Sequence, residues 1–382
     1  MSKILFISSR DPFSGRFSGD VIRSSRIIKL LEKHHKLDIV YLGKENKKIN
    51  NKRSFKSSNF FLKILNCLKF SICLEPIQLG FFYSSNLKDY VHSISNNYDF
   101  IFCHHFRSAM YLPVNFKGKK ILEMGDLYSD NYTQTYKNLS FWSPLFYIYF
   151  FESLLVKKFE NSLFRKFSKI IFFSKKDIKK IPKLFKNKIL HIPEVVNHIP
   201  KKENKINTKY KYSKKNYKIM FVGNLGYLPN KMACVDFVKN IFPIISRINK
   251  KIEFHIIGNV KRIDTYFFLK NSKIKLIGQK NNIEKYFKNT ICGIANLNIA
   301  TGVQAKIFTY MSYGLPTICS KKVASNFNHA VLTYKTKNHF AELINNLNKS
   351  KKLSTNYSKR SKEFVKKYFW MNIRKNYINL FD

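Results

Sequence analysis

Thr301-Gly302-Val303 with Lys306 three residues on is the part of this 382-residue chain best suited to holding an anion. A helix opening at Thr301 would point free backbone N–H groups and the positive end of its dipole at a phosphate, with the ammonium in reach. By itself Lys306 is also one solvated lysine among many. Three dipeptides, Gly223-Asn224, Gly258-Asn259 and Gly278-Gln279, each follow a short apolar run. A glycine there lets backbone come close to a ligand, although tight turns want glycine for their own reasons. In the other half, His104 and His105 end the run FIFC, and Asp126 sits in GDLYS after KILEM. A histidine at a strand end can hold a ligand hydroxyl by hydrogen bonds, and Asp126 equally suits a capped turn. The six cysteines show no CxxC pair and no Cys/His metal spacing, so buried thiols in a reducing compartment are expected.

These residues need strands and helices to position them. KILFIS (3–8), a helical run over 21–35 and LDIVYL (37–42) read as a βαβ unit with parallel strands. Residues 43–58 are polar and Lys-rich, which suggests a surface loop. Helices are expected over 60–74 and, after Pro144, over 141–167. Strands are expected at 98–106, at the start of 119–130, and at 169–173, where Ser174 offers an N-cap. The Lys-rich stretch 201–216 suggests a linker between a domain over 1–200 and another over 217–360. In the second, strand and helix alternate again, with helices expected at 233–248, 283–290 and 306–313. Two doubly wound α/β (Rossmann-like) domains facing a cleft follow, with ligands at the carboxyl ends of the strands.

Lys and Arg number 70 against 23 Asp and Glu, a formal charge of +47. Abundant Lys, Asn, Ile, Phe and Tyr share A/T-rich codons, so genome composition accounts for this first and attraction to an anionic membrane surface second. No nucleic-acid motif appears, and no nucleic-acid partner is expected. The start, MSKILFISSR, reaches Arg10 too soon for a secretory signal, and no run of apolar residues is long enough to span a bilayer. A cytoplasmic protein, peripheral on the inner face of the membrane, is the expectation. The aromatic, Lys-flanked segments 60–83 and 141–167 fit such a surface, and also fit ordinary core helices.

Two segments, MFVGNLGYLPNKMACVDFVKNIFPII and TGVQAKIFTYMSYGLPTICS, resemble in order and spacing the GT-B glycosyltransferases, and among them the large retaining family 4. The similarity extends over nearly the whole chain. It implies transfer of a hexose from a nucleoside diphosphate sugar to an acceptor hydroxyl, with retention and no bound metal or other cofactor. The acceptor would be a glycan or lipid-linked precursor of a surface polysaccharide. Carried over, donor binding falls on Gly223, Asn224, Gly278, Gln279, Gly302, Val303, Lys306 and Thr309. Catalytic contacts fall on His105, His104 and Asp126, and the acceptor side on Gly19 and Arg23. Asn230 and Pro229 look like structural turn residues, and Glu160 like a helix-packing or hinge contact. Residues 361–382 resemble a terminal helix that returns to the N-terminal domain. Thr309 stands where many members carry a glutamate for the ribose hydroxyls, so the ribose is expected to be held differently. The other implied reading is an inactive nucleotide-sugar-binding protein of the same fold.

Overall fold

The computed structural model describes residues 1–15, 19–196, 217–280 and 282–381. The stretch 201–216 read as a linker lies outside the described residues. The chain divides into two compact units: Met1–Glu194 with Trp370–Asp382, and Val195–Phe369.

In unit 1 the strands are β1 (Lys3–Ser8), β2 (Lys36–Gly43), β3 (Lys47–Ile49), β4 (Lys52–Lys56), β5 (Phe100–His104), β6 (Lys119–Gly125), β7 (Lys169–Phe172) and β8 (Ile189–His191). They form one sheet in the order β3-β4-β2-β1-β5-β6-β7-β8. Pairing is parallel throughout except between β3 and β4. The central strands are apolar because helices cover both faces of such a sheet; Ile4 to Ile7 and Phe100 to Cys103 are buried.

The segment 43–58 is therefore not a surface loop but holds the antiparallel pair β3 and β4 on the sheet's edge. Its lysines suit an edge strand, since charge on an open edge discourages pairing with another molecule. Pro144 opens the helix Pro144–Lys166, and Ser174 caps Lys175–Lys180 by accepting from the N–H groups of Lys176 and Asp177. The helix Trp370–Ile378 belongs to this unit. From it and the residues beyond, Tyr377 and Phe381 are buried, the latter against the rings of His35, Phe100 and Phe102.

Unit 2 has β9 (Lys218–Val222), β10 (Glu253–Ile257), β11 (Ile274–Gly278), β12 (Thr290–Ala295), β13 (Thr317–Cys319) and β14 (Leu332–Thr333). They run parallel in the order β11-β10-β9-β12-β13-β14. The helix expected at 233–248 begins earlier, at Leu228, and is interrupted by a π-turn over Phe237–Ile241. Pro243 explains the wide turn, because it lacks an N–H and crowds the carbonyl four residues back. The helix expected at 283–290 shrinks to a single 3₁₀ turn, Glu284–Phe287. Of the cysteines, Cys103, Cys234, Cys292 and Cys319 are buried, but Cys67 is half-buried and Cys73 exposed, contrary to expectation. Among the described residues no helix is long and apolar enough to cross a membrane.

Candidate functional site

The sheet order in unit 2 reverses between β9 and β12, which puts the switch point there and a crevice beyond it. Around it the ends of β9, β10 and β11 are laced together. Gly223 N–H donates to Ile257 O at 2.8 Å, Leu225 N–H to Asn259 O at 2.8 Å, and Gly258 N–H to Gly278 O at 3.0 Å. Gly258 has φ +147°, and a Cβ on it would lie 2.0 Å from the Gly223 carbonyl oxygen, so only glycine fits. Gly278, at φ +75°, and exposed Gln279 end the row at β11.

On the other side of the switch point, the loop after β12 is held by side chains. Asn296 donates to Ala233 O at 2.8 Å, Lys322 to Asn298 O at 2.7 Å and Asn326 to Gly302 O at 2.7 Å. Gly302 has φ +60°, a left-handed bend. The bend delays the helix, which begins at Ala305 and not at Thr301, and no side chain caps it. Lys306, its second residue, is buried. Its Nζ donates to Asn230 Oδ1 at 2.6 Å and lies 4.0 Å from the centre of the Phe221 ring. Burial lowers its pKa to about 7. Asn230 also donates through Nδ2 to Asn224 O at 2.9 Å. One amide thus ties Gly223-Asn224 to Lys306 across the switch point. Thr309 is buried and donates to Ala305 O within its own helix, at 3.2 Å. Tyr310 lies under Gly293, accepts from Val222 N–H and donates to Ile294 O, locking the helix to β9 and β12.

Unit 1 has its switch point between β1 and β5. A small pocket there is lined by Ser8, Ser9, Arg10, Asp11, Asp20, Val21, Ser24, His104 and His105. Gly19 opens the helix Gly19–Leu31, which carries Asp20, Val21 and Ser24 of this lining. Arg23, expected on the acceptor side, is buried. It donates to Glu194 at 2.6 Å, lies 3.3 Å from Glu123 and stacks 4.0 Å from the centre of the Phe173 ring. Its charge is spent on internal pairing. Burial opposes that charge, but Glu194 and Glu123 raise its pKa. Glu123 also accepts from Tyr377 Oη at 2.7 Å and contacts His104 Nδ1. Burial would raise its carboxyl, yet Arg23 and His104 hold it down to about 2.

His105 sits at φ +72°. Its Nδ1 accepts from Arg107 N–H at 3.4 Å and its Nε2 meets Tyr128 Oη at 2.7 Å. Burial, then Arg107 and Arg10, push its pKa well down, so the ring is neutral near pH 7. Asp126 follows Gly125, whose φ is +82°. Burial, then Asp177 and Glu194, push its carboxyl up to about 8. Glu160 pins the next residues, accepting from the N–H groups of Tyr128 at 2.7 Å and Ser129 at 3.1 Å, and from the Ser129 hydroxyl. Burial pushes it up to about 7. Sequence reading missed Glu123, Glu194, Tyr128 and Tyr377. For Glu123 the signal was present: a lone acid inside the apolar strand KKILEMG must have a cationic partner. Among the described residues no group of three His, Cys, Asp or Glu is placed to hold a metal ion.

Two open, mostly parallel sheets, each with polar residues gathered at its switch point, define a two-domain α/β architecture, and solved structures place it as the GT-B fold. The chain is similar to Anabaena HepE in complex with UDP and glucose at 10% identity and TM-score 0.66, over 100% of this chain and 99% of that one. It is similar to TarM at 12% identity and TM-score 0.64, over 100% and 99%. An E. coli structure described as trehalose-6-phosphate bound with UDP-2-fluoro glucose aligns at 12% identity and TM-score 0.65, over 99% of each chain. Residues 216–349 match the family described as Glycosyl transferases group 1, and the solved structures show that the chain has the GT-B fold. No curated protein sequence matches it.

Proposed function

We propose that the chain moves a hexose from a nucleoside diphosphate sugar to an acceptor hydroxyl with retention of configuration. The observation that carries this reading is Lys306, a buried ammonium joined through Asn230 to the Gly223-Asn224 loop across the switch point. A diphosphate on that loop would meet the ammonium and the uncapped start of the helix Ala305–Ser312, with Gly302 and Val303 beside it. Gly278 and Gln279 would border the base. No resident metal or cofactor is part of the proposal, because these groups supply positive charge to the leaving diphosphate. Thr309 spends its hydroxyl on Ala305, so the ribose would be held by other groups.

In unit 1, His105 and Asp126 would hydrogen-bond the acceptor or the sugar, both neutral near pH 7, with His104 lining the same pocket as His105 and Gly19 opening the helix that supplies Asp20 and Val21 to it. The HepE complex with UDP and glucose supports a nucleotide-sugar donor. A glycan or lipid-linked acceptor of a surface polysaccharide, met on the cytoplasmic face of a membrane, completes the reading. The test is a panel of nucleotide sugars followed for release of nucleoside diphosphate, alone and with lipid-linked acceptors. Release from at least one donor is expected; no binding and no release from any donor would overturn the reading.

A further inference from the structure

The helix Phe60–Ile72 buries none of its residues. Phe60, Phe61, Leu65, Leu68 and Ile72 are all exposed, Ile72 by 81%. The core-helix reading of this segment is thereby corrected. A second apolar surface lies on the first turns of Pro144–Lys166 and just before it, where Trp142 is 90% exposed beside Phe141, Ile148 and Phe151. The two surfaces are joined by the short helix Ile77–Phe81. Glu152, on the long helix, accepts from the N–H groups of Ile77 at 2.8 Å and Gln78 at 3.2 Å. Gly80 lies so close to the helix Phe60–Ile72 that a Cβ on it would be 2.5 Å from the Asn66 carbonyl carbon. Both surfaces therefore stand on helices of unit 1 that are fastened to one short element. Exposed apolar area of this extent marks an interaction site.

We infer that these surfaces together form a face that lies in the headgroup region of an anionic lipid bilayer. It contains no acid over 60–74 and no charged residue over 141–151. Lys63 and Lys69 stand on the first helix, with Lys63 Nζ 4.8 Å from the ring centre of Phe81, where lipid phosphates could meet them. Tryptophan and tyrosine prefer the bilayer interface, which suits Trp142 and Tyr147. The helix has 13 residues and is about 20 Å long at 1.5 Å per residue. That is too short for a hydrocarbon core about 30 Å thick, so the helix lies in the surface plane. A second copy is a poor occupant, because each carries a formal charge of +47 and the two would repel. The inference rests on the membrane placement proposed above and names the surface responsible; it does not need the transfer reaction.

The chain has two tryptophans, so in a Trp370→Phe background Trp142 reports alone. The probe is vesicles of phosphatidylcholine mixed with phosphatidylglycerol, against phosphatidylcholine alone. Trp142 emission is expected to shift to the blue on the mixed vesicles and to be quenched by lipids brominated on their acyl chains. Phe61→Asp with Leu65→Asp should weaken co-sedimentation by about tenfold or more, with an unchanged circular dichroism spectrum, since both side chains are exposed. Lys63→Glu with Lys69→Glu should remove the preference for the anionic lipid. If the wild type binds vesicles while the apolar variant binds equally and Trp142 stays unquenched, this face is wrong though the membrane placement survives. If the wild type binds neither vesicle, the placement itself fails. A dimer in sedimentation that the apolar variant abolishes would assign the face to a second copy and overturn the inference.

Discussion

An ammonium held down to about 7 by burial, as at Lys306, is charged and neutral in comparable amounts near neutral pH. In the unfolded chain it keeps its proton up to its ordinary 10.5. Between those values the unfolded state binds more protons, so this group makes stability rise with pH. A diphosphate reverses the preference, because it draws a proton onto the lysine. Lys306→Met should therefore weaken nucleoside diphosphate binding by roughly 10- to 150-fold, the worth of one charged hydrogen bond, without loss of fold stability. Wild-type affinity should fall as pH rises above about 7, with proton uptake on binding. Calorimetry in two buffers of different ionisation heat measures both, and equal affinities for wild type and variant would remove Lys306 from the site. In unit 1 two carboxyls have opposite signs. Glu123, held at about 2 against an ordinary 4.5, stabilises above that ordinary value and loses its contribution as pH falls toward 2. Asp126, raised from 3.8 to about 8, makes stability fall as pH rises between those values. Urea unfolding should show Glu123→Gln destabilised by about 3–5 kcal/mol at neutral pH, since Arg23 loses a buried partner. Asp126→Asn should be more stable than wild type at neutral pH, and the gain should vanish in acid.

Strands and their ends were the most legible part of the sequence. Continuous apolar runs such as FIFC and KILFIS announced buried parallel strands, and the glycines after them announced the turns at which residues gather. Chain pattern could not show which strand ends are neighbours. That depends on sheet order, and it is sheet order that brings Asn230 between Asn224 and Lys306. Nor could it show β3 and β4, because lysines on an edge strand look like lysines in a loop. Pro243 was visible, but its effect, a π-turn inside a continuing helix, depended on the packing of Phe237 and Phe242 against Phe254. Thr309 was recognised as an unusual residue, yet its bond to Ala305 could be seen only once the helix was placed. At the level of the strand ends, Gly258→Ala should be costly. Its Cβ would strike the Gly223 carbonyl, and overpacking of this kind typically costs 1–3 kcal/mol or about that. Denaturant unfolding of unit 2 should shift accordingly, and nucleoside diphosphate binding should weaken with it. Unchanged stability would mean that the Gly223 and Gly258 turns can part without cost.

On the scale of the whole molecule, unit 2 is continuous in the chain, Val195–Phe369, whereas unit 1 is assembled from what precedes it and from Trp370–Asp382. The later piece is an integral part of unit 1's core: Tyr377 donates to Glu123, and Phe381 packs on Phe100 and Phe102. A fragment covering 195–369 should therefore fold alone with a cooperative thermal transition. A fragment covering 1–194 should not, and should recover its spectrum when a peptide of residues 370–382 is added. Folding of 1–194 unaided would show that the returning segment is dispensable. The same connectivity sets an order on synthesis. As the ribosome extends the chain, unit 2 has its complete sequence before unit 1 does, so the half begun first is finished last. Until residues 370–382 emerge, Glu123 waits without its tyrosine and the rings of Phe100 and Phe102 lack their cover.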